Sequence, residues 1–189
     1  PVTSRTVFPL SSVTKQFTAM GIMILKEMEL LNYTDTVNQY IENFPYQGIT
    51  IKMLLNHTSG LPNYMWLLEH RWSKDNKTPY NDEVIQLMGK HKLNLYFKPG
   101  TRFAYSNTGY VILASIIEKV SGQRYDEFME QNIFDPLEMR NSFVYCTAYE
   151  KNKNTFLNGY RQWRQYFRSI PPTINDRSEE RRVGKECVS

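Results

Sequence analysis

Ser11-Ser12-Val13-Thr14-Lys15-Gln16-Phe17-Thr18-Ala19-Met20-Gly21-Ile22-Met23-Ile24-Leu25-Lys26-Glu27-Met28 is the stretch on which the reading of this chain turns. Val13, Phe17, Met20, Ile24 and Met28 recur at helical spacing, and Leu25, Leu30 and Leu31 extend the stripe. The pattern predicts a buried core helix, with Ser11 or Ser12 as its cap. Its first turn reads Ser12-Val13-Thr14-Lys15. A lysine three residues after a serine lies on the same helix face, about 4.5 Å further along the axis. Its amine can therefore reach the hydroxyl.

That pair has a chemistry. Acyl transfer through serine requires a hydroxyl made nucleophilic and a group that takes its proton. Burial lowers a lysine pKa and makes the neutral amine available for that task. A serine at a helix N-terminus also sets its backbone amide where an oxyanion can form. The motif alone is weak: with twelve serines and twelve lysines in the chain, about one Ser-x-x-Lys arises by chance. Tyr105-Ser106-Asn107 adds weight, because the triplet Tyr-Ser-Asn has about one chance in fifteen in this composition. A phenol beside an ammonium group can lose its proton and act as a base. Asn107 supplies a carboxamide that can orient Lys15 or hold a substrate amide.

Outward from these motifs the pattern is mostly helical. Thr34-Asp35 starts a short helix through Ile41, and Thr50 caps another over residues 51–56. His57-Thr58-Ser59-Gly60-Leu61-Pro62 is a Gly/Pro-punctuated turn, with His57 read as structural. Residues 63–80 are aromatic and read as irregular. Asn81-Asp82 opens a helix to about Lys90. Asn107 or Thr108 caps a strong apolar helix that ends at Gly122. Tyr125 to Phe134 is a further helix, and residues 142–170 alternate aromatic and polar residues like strands and loops.

Size and composition narrow the classes. The 189 residues suffice for one domain with its own core. At 41% hydrophobic and 22% charged residues the composition is that of a globular domain. The longest apolar run, Met20 to Leu25, is far too short for a membrane span. Residue 1 is Pro, so the natural start is expected upstream, and with it any export signal. The formal charge of +4 is scattered, without the basic stripe or stacking aromatics of a nucleic-acid binder and without a phosphate loop. His57, His70 and His91 share no metal-ligand spacing, and no metal or other cofactor is expected. Cys146 and Cys187 form neither a metal motif nor a disulfide framework.

Several stretches together resemble the serine β-lactamase and penicillin-binding-protein-like family, in its class C β-lactamase and D-alanyl-D-alanine carboxypeptidase-like branch. They are residues 10–17 (Leu-Ser-Ser-Val-Thr-Lys-Gln-Phe), residues 54–62 (Leu-Leu-Asn-His-Thr-Ser-Gly-Leu-Pro) and residues 99–110 (Pro-Gly-Thr-Arg-Phe-Ala-Tyr-Ser-Asn-Thr-Gly-Tyr). Residues 117–122 and 136–139 also match. The related motif set pairs Ser-x-x-Lys with Ser-Asp-Asn and Lys-Thr-Gly, and Tyr-Ser-Asn stands here in the middle position. The resemblance implies an α/β (α+β) fold, with an antiparallel sheet flanked by helices, a helical lobe and a site between them. It implies Ser12 as acylated nucleophile, Lys15 as its proton partner, Tyr105 as general base and then acid, and Asn107 as substrate-binding residue. The expected activity is hydrolysis of an amide or ester through an acyl-enzyme, the substrate being a β-lactam, a D-amino-acid peptide or a small ester. The rival expectation is a non-catalytic penicillin-binding-like sensor or scaffold. A periplasmic or extracellular location follows by the same analogy, while oligomeric state is left open.

Two departures qualify the resemblance. No Lys-Thr-Gly-type triplet follows Asn107. One lost oxyanion donor can cost about 10²–10³ in rate, so the 189-residue chain by itself is expected to be inactive while a longer parent is active. The character of the chain also changes at Arg177. Residues 177–187 resemble a translated sequencing adapter, since codons for them can be chosen to spell one. The expected division is a partial hydrolase domain over residues 1–176 and a non-native, disordered tail over 177–189.

Overall fold

Ser106 begins the helix around which the others are arranged. Its side-chain oxygen accepts the Gly109 N–H, capping α5 (Asn107–Ser121), and Gly122 closes the helix in the left-handed conformation at φ 70. Between these ends every residue from Thr108 to Ile117 is buried, so α5 is apolar on all sides and belongs at the centre of a core. The computed structural model describes residue 8 and residues 10–72, 79–144, 159–163 and 166–170.

Against α5 lie α1 (Thr14–Glu27), α2 (Ile51–Leu55), α4 (Asn81–His91) and α6 (Tyr125–Met129), while α3 (Tyr64–Arg71) packs on α4. A π-helical turn, Glu130–Phe134, continues α6. Thr50 caps α2 by accepting the Met53 N–H, as the sequence predicts. The segment from Thr34 to Ile41 is instead turns around a short 3-10 helix, Val37–Gln39, joined to the α2 cap by a Thr36–Thr50 bridge. Residues 64–71, expected to be irregular, form α3, because Asn63 caps it by accepting the Met65 N–H. Residues 159–163 and 166–170 form an antiparallel hairpin of strands β1 (Gly159–Trp163) and β2 (Tyr166–Ile170), pairing Gly159 with Ile170.

The face α1 buries corrects the sequence reading. Thr14, Lys15, Thr18, Gly21, Ile22 and Leu25 are buried, whereas Val13, Met20, Met23 and Met28 of the predicted stripe and its edge are exposed. Phe17 and Ile24 are partly buried against the core, and the Phe17 ring meets Phe134 edge-on at 5.6 Å. The reason is close approach. A Cβ on Gly21 would lie 2.9 Å from both Ile117 Cδ1 of α5 and Met129 Cε of α6. Small residues bring α1 down onto α5 and α6, and a buried Thr18–Tyr125 hydroxyl pair at 2.7 Å ties it there. Larger apolar residues are directed to the other side. Cys146, residues 1–7 and the charged segment from Arg177 onward, Cys187 included, lie outside the described residues. No helix among the described residues is long and apolar enough to cross a membrane.

Candidate active site

Ser12 sits in a one-turn 3-10 helix, Ser11–Val13, that leads directly into α1. Ser11 before it takes φ 50, a left-handed backbone that costs a non-glycine residue free energy and that clusters at functional sites. The two side chains of the Ser-x-x-Lys motif differ in exposure. Ser12 stands exposed at the surface, while Lys15 turns into the protein and retains only 9% of its accessible surface.

The second half of the site comes from the segment that leads into α5. It is laid against the turn after α2 by a ladder of backbone bonds. Tyr96 N–H donates to Gly60 O at 2.8 Å, Gly100 N–H to Thr58 O at 2.8 Å, and Ala104 N–H to His57 O at 2.9 Å. Gly60 has φ +72, and a Cβ there would run into the Phe97 carbonyl oxygen, so the turn requires glycine. Thr108, fully buried, completes the clasp: its hydroxyl accepts the Tyr64 N–H at 3.0 Å and donates to Pro62 O at 2.7 Å.

This framework carries the Tyr105 phenol to Ser12. The two hydroxyl oxygens are 2.7 Å apart, although 93 positions separate the residues. The Lys15 ammonium lies 5.1 Å from the Tyr105 ring centroid and 5.5 Å from that of Tyr110, held between two electron-rich faces. Tyr110 is anchored in turn by donating its hydroxyl to Leu55 O at 3.2 Å. Ser12, Lys15 and Tyr105 are thus brought together. Asn107 opens α5 two residues beyond Tyr105, and its Oδ1 is buried with no hydrogen-bond partner. That oxygen therefore makes no hydrogen bond to Lys15.

Sequence reasoning took His57 as a turn residue and passed over Tyr110. His57 does hold the turn, at φ 57, but its ring also lies under the site. It stacks on Tyr105 at 4.7 Å and on Tyr110 at 5.2 Å, and meets Phe103 edge-on at 5.8 Å. Its Nδ1 accepts the Ser106 N–H at 3.1 Å. Burial, reinforced by the Lys15 cation, holds the imidazole below its ordinary pKa. Burial likewise pushes the Tyr110 phenol up, the Lys15 charge opposing it. The one advance signal was the position of His57 and Tyr110 inside two of the motif-bearing stretches. Elsewhere, His70 stacks on Trp66 at the surface, and no group of three metal-binding side chains occurs among the described residues.

The described helices bring a serine, a buried lysine and a tyrosine to one point, and comparison with known proteins gives the family. The chain belongs to the Beta-lactamase family, whose family model matches residues 1–173. It is 44% identical over 145 residues to Penicillin-binding protein 4* of Bacillus subtilis (strain 168), covering 77% of this chain and 32% of that one. Its fold is that of the penicillin binding protein from Bacillus halodurans, with a TM-score of 0.76 and 27% identity over 92% of this chain and 54% of the other. The D-amino acid amidase from Ochrobactrum anthropi SV3 is also similar, with a TM-score of 0.69 and 27% identity over 86% of this chain and 45% of the other. These likenesses give the β-lactamase/transpeptidase fold. The chain spans about a third of the length of the curated relatives it matches.

Proposed function

We propose that Ser12 is the nucleophile of a serine hydrolase that acts on an amide or ester through a covalent acyl-enzyme. The 2.7 Å contact between Ser12 Oγ and the Tyr105 hydroxyl, beside the Lys15 charge, carries this reading. As Ser12 Oγ attacks the carbonyl carbon, its proton passes to the Tyr105–Lys15 pair. The C–N or C–O bond then breaks, and the same proton is delivered to the leaving nitrogen or oxygen. Water repeats the sequence in reverse order to release the acid. Asn107 Oδ1, buried and unpartnered, offers an acceptor for a substrate amide N–H.

The relatives, a penicillin-binding protein and a D-amino acid amidase, support an amide substrate among the β-lactam, D-amino-acid peptide and small-ester possibilities. The finer architecture proposed is an antiparallel sheet flanked by helices, with the described helices as the helical lobe of a domain that includes residues 1–176. The exposed Val13, Met20, Met23 and Met28 edge of α1 supports a further layer on that side. An extracytoplasmic location is proposed by analogy with the family.

Labelling tests the nucleophile. A fluorescent penicillin or a fluorophosphonate should modify Ser12, as located by mass spectrometry, in the chain completed to the length of its relatives, and should label the 189-residue chain about 10²–10³ more slowly. Ser12→Ala should take no label. Labelling without subsequent release would favour a sensor, and labelling elsewhere would remove Ser12 from the mechanism.

A further inference from the structure

We propose that His57 is a positioning residue for acyl transfer: its unprotonated Nδ1 holds the Ser106 N–H and thereby fixes where the neighbouring Tyr105 hydroxyl points. The inference rests on the reading of Tyr105 as the proton partner of Ser12, and it assigns a further residue to that site.

Four contacts converge on this residue. The Ser106 N–H donates to Nδ1 at 3.1 Å, one residue from the phenol that touches Ser12. The ring lies 4.7 Å from the Tyr105 ring at an interplanar angle of 33°. The Tyr110 ring lies 5.2 Å away at an interplanar angle of 35°, and the Tyr110 hydroxyl is bonded to Leu55 of α2. The His57 carbonyl accepts the Ala104 N–H at 2.9 Å, so the residues on both sides of Tyr105 are bound to a single histidine, one through its backbone and one through its ring.

This arrangement demands one protonation state. An acceptor at Nδ1 requires the neutral ring with its hydrogen on Nε2. A second proton would turn Nδ1 into a donor aimed at another N–H, and would add a cation beside the Lys15 ammonium. The groups facing the ring are Lys15 from α1, Tyr105 and Phe103 from the segment before α5, and Tyr110 from α5. None of them is a carboxylate that would favour the charged form, and the depressed pKa of the ring agrees with this. A tether is consequential because the Ser12–Tyr105 pair is exposed, and solvent offers the phenol other partners. Misplacement of a reacting group by about 1 Å can cost about 10² in rate.

His57→Phe keeps a ring for stacking and removes the acceptor. His57→Asn keeps an acceptor near the Nδ1 position and tolerates the left-handed backbone at φ 57. In the chain completed to the length of its relatives, the acylation rate constant and the dissociation constant for a fluorescent penicillin are measured separately, with Tm as a control on folding. His57→Phe should slow acylation about 10²-fold per folded molecule with an unchanged dissociation constant. His57→Asn should restore it to within about tenfold of the parent, since the acceptor and not the ring is the tether. Equal rates in the parent and His57→Phe, or equal losses in both variants, would overturn the proposal. A parent that takes no label would refute the Ser12 reading instead. The tether is then judged by ¹⁵N NMR of histidine: an unprotonated Nδ1, with a Ser106 amide shift lost in His57→Phe and regained in His57→Asn, upholds it, and a protonated Nδ1 at neutral pH refutes it.

Discussion

The Lys15 ammonium lies within 5.5 Å of two phenol rings and acts on the imidazole beneath them. A cation–π contact of this kind contributes about 0.5–2 kcal/mol, more as it is desolvated, so the rings help to hold a buried charge that would otherwise be costly. If Lys15 and Tyr105 move the Ser12 proton as one unit, their removal is not additive. Tyr105→Phe should lower the acylation rate by about 10²–10⁴, and adding Lys15→Met should lower it by far less than the product of the two single effects. Multiplicative losses in single-turnover labelling would separate the two residues. His57 governs a pH effect on stability. Its folded pKa lies below its ordinary value, so the unfolded chain binds the proton first as pH falls. The contribution is fully present above about pH 6.5 and is lost as pH drops through the lower folded value. The slope of Tm between about pH 7 and pH 5 should therefore flatten in His57→Asn.

The elements that matter most to the site are the turn over residues 57–62 and the segment before α5, and they stand or fall together. Thr108→Val keeps shape but removes the buried hydroxyl that bonds both the Tyr64 N–H and the Pro62 carbonyl. It should cost about 1–3 kcal/mol in urea unfolding. Gly60→Ala meets both a positive φ and the Phe97 carbonyl, and should cost about 2–5 kcal/mol. A Gly60→Ala protein as stable as its parent would mean that the turn can shift without penalty. The sequence signals for these elements were uneven. Thr50 before an apolar run and Gly122 after one are strong local marks, and both proved to be caps. Asn63 is an equally good cap, but the aromatic, irregular run after it hid the helix it starts. For α5 the cap falls on Ser106, one residue before either predicted position, because its oxygen reaches Gly109 N.

At the scale of the molecule, the distance from Ser12 to Tyr105 is set by how closely α1 lies on α5 and α6. Gly21→Leu should push α1 outward, costing about 1–3 kcal/mol or more. It should also slow Ser12 acylation by about 10² although Gly21 lies nine residues from the nucleophile. Labelling at the parental rate in a destabilised Gly21→Leu protein would show that the site does not depend on that packing. That Ser12, Lys15 and Tyr105 are candidates could be read in advance because each chemical type sits at a spacing that one helix turn or one triplet makes meaningful. The family likeness was legible for the same reason, since its motifs are short, local and dense in glycine and proline. What the linear order could not determine was which face of α1 is buried. Periodicity counts apolar residues, whereas close helix contact is won by the small ones, Thr18 and Gly21. Nor could it place a histidine under a tyrosine 48 positions away. By itself the sequence determined the chemistry available and the helices that carry it, because both follow from neighbours along the chain. Only the tertiary structure decided that a hydroxyl, a phenol, an ammonium and an imidazole meet, because their meeting depends on the packing of α1 and α5 and on the backbone ladder between two turns.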